Sequence, residues 1–294
     1  LTFLSISFPE RMDMSKPIPS KPLGRQGATI PALGLGVFRM PGEDTRRMVK
    51  ESLQLGYRLV DTAQIYGNEA DVGQGLAESG VAREQIFLTT KVWVDHYRAA
   101  DLLRSARESL NRLRTDYVDL LLLHWPGSTG VPLAEQIEAL NETVSRGWVK
   151  HIGVSNFNRD LMQQATTLSK APIVNNQIEY HPYLKQDKVL AEADRLGMTV
   201  TAYFAMADGQ VLTDPVIAGI AQKLGKTPAQ IALRWLLQQD NVVTLTKTLH
   251  TDRARTNMQV FDFVLSAEDM QALAALARPD GRIVSPAKLA PTWD

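Results

Sequence analysis

Ile86-Phe87-Leu88-Thr89-Thr90-Lys91, then Ala99 to Leu113, then Tyr117-Val118-Asp119-Leu120-Leu121-Leu122-Leu123-His124 is the stretch that decides the fold. Its outer segments are short apolar runs, each ending on a polar side chain, and read as buried strands. Between them, apolar residues fall at Leu102, Leu103, Ala106, Leu110 and Leu113, the spacing of one helix face. Strand, helix, strand is the unit of an α/β protein.

The alternation continues in both directions. Upstream, Ala32 to Val37 is a small strand. Asp44 is expected to cap a helix to about Leu55, stopped by Gly56. Leu59-Val60 is a strand, and Asn68 is expected to cap a helix to about Ser79. Downstream, helices over 133–146, 161–168 and 188–196 alternate with strands over 149–154, 173–177 and 199–203. Two helical runs, about 214–224 and 228–239, follow, the second with Pro228 in its first turn. Residues 241–246 make the eighth strand, and helices over 252–258 and 267–277 close the pattern. Residues 23–31 suggest a hairpin around a glycine turn, after a Ser-, Lys- and Pro-rich tail at 15–22. Eight strands alternating with helices predict one (β/α)₈ TIM barrel with an N-terminal hairpin, spanning 21–294 behind a flexible extension at 1–20. A doubly wound sheet would want a glycine fingerprint after its first strand. Gly34-Leu35-Gly36 is half of one, and position 39 is Arg.

Composition narrows the partners. Of 294 residues, 32 are Lys or Arg and 32 are Asp or Glu, so no net charge favours nucleic acid or an acidic membrane. No cysteine is present, which excludes disulfides, thiolate metal sites and a cysteine nucleophile. No apolar run approaches a membrane span. Residues 1–8 are apolar but lack a basic start, so a signal peptide is not expected, and the segment before Met14 reads as an extension. A cytoplasmic, monomeric protein is the default expectation.

Tempting motifs fail on spacing. Gly219 to Thr227 has five residues before its second glycine where a phosphate loop needs four, and no strand precedes it. There is no G-x-S-x-G. The histidines, His96, His124, His151, His181 and His250, show no metal-ligand spacing, so no metal is expected.

One constellation holds. The second strand ends at Asp61, the third at Lys91 and the fourth at His124, with Tyr66 in the loop after the second. In a barrel these converge on the carboxyl rim. A free tyrosine has a pKa near ~10 and is a poor acid at neutral pH. An adjacent ammonium is expected to lower it, a carboxylate to hold that ammonium, and a histidine to orient the reacting oxygen. Such a group could protonate a carbonyl oxygen as hydride reaches its carbon. Each residue alone has a plainer reading: a rim salt bridge, a packed histidine, a surface tyrosine.

Several ordered motifs then coincide. They are Leu59-Val60-Asp61-Thr62-Ala63 with Tyr66-Gly67-Asn68-Glu69; Thr90-Lys91-Val92-Trp93; Leu110-Asn111-Arg112-Leu113 with Asp116-Tyr117-Val118-Asp119-Leu120; His124-Trp125-Pro126; Ile152-Gly153-Val154-Ser155-Asn156-Phe157; and Asn176-Gln177-Ile178-Glu179-Tyr180-His181-Pro182. From about residue 20 onward the chain resembles the aldo-keto reductase superfamily. Its ending, Arg282 to Pro286 and Leu289 to Asp294, resembles the bacterial 2,5-diketo-D-gluconate reductases of the B type, which also reduce methylglyoxal.

The resemblance implies NADPH bound without a Rossmann domain and a small-molecule carbonyl substrate. It implies Tyr66 as general acid with Asp61, Lys91 and His124 as partners. Ser155, Asn156 and Gln177 would hold the carboxamide, and Tyr203 would stack beneath the nicotinamide. Gly36, Phe38 and Met206 join the cofactor set. Lys247, Thr248, Arg253 and Asn257 would form its far end, where cations suit a 2′-phosphate. Phe38, Trp93, His124 and Trp125 would wall the substrate pocket. Departures from the superfamily's usual Tyr-Ser-Pro-Leu and Ile-Pro-Lys-Ser are Tyr203-Phe204-Ala205-Met206 and Leu245-Thr246-Lys247-Thr248, and Thr256 stands where Glu is usual. Two rival functions are a cofactor-binding barrel without turnover and a lyase or isomerase using Lys91 as an amine.

Overall fold

The computed structural model describes residues 17–127 and 129–294. The expected extension therefore lies, through residue 16, outside the described residues. Ten strands and ten helices follow in order: β1 (Ser20–Leu23), β2 (Ala28–Pro31), β3 (Leu33–Gly36), α1 (Gly42–Leu55), β4 (Leu59–Asp61), α2 (Glu69–Glu78), β5 (Phe87–Val92), α3 (Ala99–Leu113), β6 (Val118–Leu123), α4 (Leu133–Ser145), β7 (Val149–Ser155), α5 (Arg159–Leu168), β8 (Ile173–Glu179), α6 (Asp187–Leu196), β9 (Thr199–Tyr203), α7 (Pro215–Leu224), α8 (Pro228–Leu237), β10 (Val242–Thr246), α9 (Thr251–Met258) and α10 (Ala267–Ala274). Strands β3 to β10 pair in parallel with their sequence neighbours, and β10 pairs β3, closing an eight-stranded barrel. The expected (β/α)₈ architecture with its hairpin is what the chain adopts. None of the described helices is long and apolar enough to cross a membrane.

Two apolar layers hold it. The larger lies between strands and helices, and the smaller fills the barrel. Inside, Leu59, Leu120, Leu122, Val174, Val243 and Leu245 pack with Leu23 and Ile30 of the hairpin. The antiparallel β1–β2 pair thus plugs one end of the barrel and leaves the other as the mouth. Lys21 fastens the plug: its Nζ donates to the carbonyls of Leu237, Gln239 and Val242 at 2.6–2.7 Å, while burial pulls its ammonium down to about 8. The tail expected at 15–22 stops short of residue 20, because Ser20 to Pro22 pair as strand. Close packing also constrains β3, where a Cβ on Gly34 would stand 2.5 Å from the Leu59 side chain.

Helix starts show how tertiary contacts override local signals. Helix α1 begins at Gly42 after Pro41, so Asp44 lies inside its first turn and is not the cap. Asn68 precedes α2 but makes no capping bond. Its Nδ2 instead donates to the carbonyls of Val37 and Met40, and its Oδ1 accepts from Thr62 Oγ1. The side chain ties the loops after β3 and β4 together, a larger gain than one cap. Asp214 and Thr227 do cap α7 and α8, the latter in a reciprocal box with Gln230.

Candidate active site

A cavity of about 490 Å³ opens at the carboxyl rim of the strands. The strand register brings the four rim residues together there. Asp61 closes β4, Lys91 lies near the end of β5, and His124 follows β6. Tyr66 ends a single 3₁₀ turn, Gln64–Tyr66, closed by Gly67 in the left-handed region (φ 70°).

Lys91 is fully buried. Its Nζ donates to Asp61 Oδ1 at 2.6 Å, to the Thr62 carbonyl at 2.8 Å and to Tyr66 Oη at 3.4 Å. All three ammonium hydrogens are therefore engaged, which leaves no lone pair for a Schiff base and disfavours the lyase reading. Asp61 spends its other oxygen on Gln177, whose Nε2 donates to Oδ2 at 2.8 Å. Gln177 Oε1 takes no hydrogen bond from the described residues, and Gln177 lines the cavity.

Burial, then the Asp61 charge, raise the Tyr66 hydroxyl well above its ordinary pKa. The expected lowering by Lys91 is thus overturned. The ammonium is 3.4 Å from Oη, but Asp61 largely neutralises it from 2.6 Å. Burial likewise pulls Lys91 down, against the pull of Asp61. His124 is held well below its usual value by burial and by Lys91, so its imidazole is neutral. Its Nδ1 is buried without a partner among the described residues. With nothing for Nδ1 to donate to, the proton belongs on Nε2.

Aromatic rings build the walls. Phe38 lies 5.0 Å from the Tyr66 ring, and Trp93 stands edge-on to His124 at 5.3 Å. Trp125 also lines the cavity, as do Gly36, Tyr203 and Met206.

Opposite the tetrad, β7 and β8 slip register between Ile152 and Val154, an irregularity of the kind that re-aims side chains beside sites. Ser155 and Asn156 follow it, the latter at φ 64°. Ser155 Oγ donates to the Gln177 carbonyl at 2.8 Å. Asn156 is more of a brace than the sequence suggests. Its Nδ2 donates to the His124 carbonyl and to Ser155 Oγ, and its Oδ1 accepts from Tyr203 Oη at 2.7 Å.

The far end is less gathered. Lys247 lines the cavity, whereas Thr248, Arg253 and Asn257 do not. Thr248 Oγ1 accepts from the His250 N–H, and Asn257 Nδ2 donates to Thr246 Oγ1 at 2.7 Å, fixing the turn into α9. Arg253 is exposed on the first turn of that helix. Sequence reasoning missed Arg39, which lines the mouth at φ 56° with its guanidinium over Phe38. The signal was there: Arg39 is the residue that spoils the glycine fingerprint. It also missed Val284, Pro286 and Leu289, the apolar residues of the C-terminal segment that complete the wall.

Comparison with known proteins identifies the family of the chain. The family model described as Aldo/keto reductase family matches residues 32–278. Methylglyoxal reductase DkgB of Salmonella typhi is 46% identical over 268 residues, covering 90% of this chain and 100% of that one. A crystal structure carrying the name 2,5-diketo-D-gluconic acid reductase B superposes with a TM-score of 0.90 at 57% identity, covering 91% of this chain and 95% of the other. The Bombyx mori aldo-keto reductase, solved in complex with NADP, superposes at 0.85 with 30% identity, covering 93% of this chain and 96% of that one.

Proposed function

The chain belongs to the aldo/keto reductase family, and from that premise we propose that it is an NADPH-dependent carbonyl reductase with Tyr66 as proton donor. Its substrates on this reading are small oxo compounds, methylglyoxal and keto-sugar acids such as 2,5-diketo-D-gluconate among them, in keeping with the names its relatives bear. The observation that carries the reading is the buried chain Gln177–Asp61–Lys91–Tyr66 ending on a hydroxyl at the cavity.

The cavity's donor set suits the cofactor. Gln177 Oε1 has spare accepting capacity for a carboxamide N–H, Ser155 Oγ lies beside it, and Tyr203 offers a flat ring. Arg39 and Lys247 place two cations at the mouth, where phosphate oxygens accept charge-assisted bonds. Lys247 with Arg253 would take a 2′-phosphate, the basis for preferring NADPH. Bound NADPH supplies the hydride.

The protein manages the proton. Because burial keeps Tyr66 protonated, the acid is loaded throughout the neutral range. As its proton leaves, charge grows on an oxygen 3.4 Å from the Lys91 ammonium, worth about 5 kcal/mol at an effective dielectric near 20 before the opposing Asp61 charge is counted. The lysine therefore acts on the transition state more than on the resting hydroxyl. Neutral His124 donates from Nε2 to the substrate oxygen and aims it at Tyr66.

Replacing Tyr66 with Phe tests the reading. Turnover of methylglyoxal is expected to fall by about 10²–10⁴, with NADPH binding by fluorescence titration retained. Unchanged turnover overturns the assignment, and NADPH binding by the native protein without turnover over a broad aldehyde panel overturns the enzyme.

A further inference from the structure

Glu179 is the last residue of β8, two positions after Gln177 and on the same face of the strand. Its side chain is fully buried, as is His181 beside it. A carboxylate in such a place costs heavily unless every lone pair is used. The C-terminal segment supplies the partners. Glu179 Oε1 accepts from the Ile283 N–H at 2.7 Å and lies 2.9 Å from His181 Nε2, and Oε2 accepts from the Val284 N–H at 2.8 Å. Neither Ile283 nor Val284 belongs to a helix or strand, so the carboxylate does for them what a ladder would.

The grip extends along the same stretch of chain. The Tyr183 carbonyl accepts from the Arg278 N–H at 3.1 Å. Gly281 lies so close that a Cβ there would stand 1.8 Å from that carbonyl oxygen, a backbone contact that only glycine permits. Arg282 stacks its guanidinium 3.5 Å over the Trp293 ring and reaches to 4.0 Å from Glu179 Oε2. The segment then crosses the mouth, where the Leu289 carbonyl accepts from Gly127 beyond β6 at 3.1 Å. Between these two moorings, Val284, Pro286 and Leu289 line the cavity.

We propose that Glu179 is a positioning residue: it latches residues 281–290 as a strap across the mouth and so sets the substrate wall from the strand that carries Gln177. The proposal rests on the reading that this cavity holds the substrate. Glu179 touches neither cavity nor reacting atoms. Its effect passes through Ile283 and Val284.

Two measurements on Glu179→Gln, Glu179→Ala and Gly281→Ala test it. The amide of Glu179→Gln has one accepting oxygen for two N–H donors, and Glu179→Ala has none. Gly281→Ala loosens the strap with Glu179 and His181 intact. In amide hydrogen exchange, protection over 281–290 is expected to fall, Ala more than Gln at position 179, with the barrel strands unchanged. In kinetics, KM for 2,5-diketo-D-gluconate, or for methylglyoxal if only that is reduced, is expected to rise about tenfold in Glu179→Gln and in Gly281→Ala, with kcat within about threefold and KM for NADPH unmoved. Native exchange at 281–290 in Glu179→Ala overturns the latch. So does loss of protection spread evenly over the barrel, with kcat falling as the folded fraction falls. If the native protein reduces neither substrate, the functional reading fails, while exchange at 281–290 still decides the latch.

Discussion

Replacing Lys91 with Met separates what the buried ion pair does for the fold from what it does for the chemistry. Methionine fills much of the lysine stem's volume. What is lost is the ammonium, with its bonds to Asp61, the Thr62 carbonyl and Tyr66. Asp61, 3% exposed, is then left with the Gln177 amide on one oxygen and nothing on the other. Stranding a buried charge costs about 3–5 kcal/mol, a large share of the roughly 5–15 kcal/mol that stabilises a native protein. The urea midpoint should fall accordingly with little change in slope. Adding Asp61→Asn removes the stranded charge and leaves an oxygen for Gln177. The double variant should recover stability to within about 1–2 kcal/mol of native. Turnover should not follow, since neither variant has an ammonium facing Tyr66, and a loss of at least about 10²-fold is expected in both. Urea denaturation and carbonyl-dependent NADPH oxidation on the same preparations give the two readouts. A double variant as unstable as the single one would refute the stranded-charge reasoning, and turnover that returned with stability would refute the chemical role.

The pH profile follows from the directions at the site. His124 is held well below its usual value and Tyr66 well above, so neither changes charge near neutrality and neither should put a limb in kcat/KM for reduction there; an alkaline limb would belong to Lys91, whose ammonium burial lowers. An acid limb near the ordinary histidine value that vanished in His124→Gln would contradict this. At the cofactor end, Lys247→Ala should raise KM for NADPH about tenfold, the worth of one charge-assisted bond, and leave KM for NADH nearly unmoved. Equal effects on both would remove Lys247 from the 2′-phosphate.

The barrel was legible because parallel strands covered on both faces write themselves as apolar runs. Strand β6 was placed to within one residue, since Val118 to Leu123 are buried without exception. The four rim residues were legible for a related reason: strand ends occupy equivalent places in a closed barrel, so a position in sequence converts to a position in space. Side-chain partners resisted the same treatment. The bond from Gln177 to Asp61 joins residues 116 apart, and Asn156 gives its amide to the His124 carbonyl on another strand's loop. Tyr66 was misjudged electrostatically because its proton affinity is set first by burial, which no local spacing records. Asn68 and Asp44 carry good capping chemistry and do not cap, because one is drawn into a loop-to-loop bond and Pro41 starts the other helix early.

Asp61 is the point where the proton donor and the cofactor face meet, because its two oxygens serve different masters: Oδ1 takes the Lys91 ammonium and Oδ2 the Gln177 amide. Asp61→Asn on its own cannot satisfy both. One of its two terminal atoms becomes an N–H₂ that faces another donor. The bond to the ammonium is charge-assisted and the stronger, so the remaining oxygen stays with Lys91, which nonetheless loses the charge that anchors it beside Tyr66. The N–H₂ then faces Gln177, whose amide must turn over and offer Nε2 to the cavity in place of Oε1. A carboxamide N–H then meets a donor where it had an acceptor, a mismatch that costs about 1–3 kcal/mol. The variant is therefore expected to lower kcat and to raise the dissociation constant for NADPH about tenfold or more, whereas Tyr66→Phe lowers kcat alone. Stopped-flow turnover beside fluorescence titration of NADPH distinguishes the two. Native NADPH affinity in Asp61→Asn would mean that Gln177 does not orient the cofactor through this carboxylate.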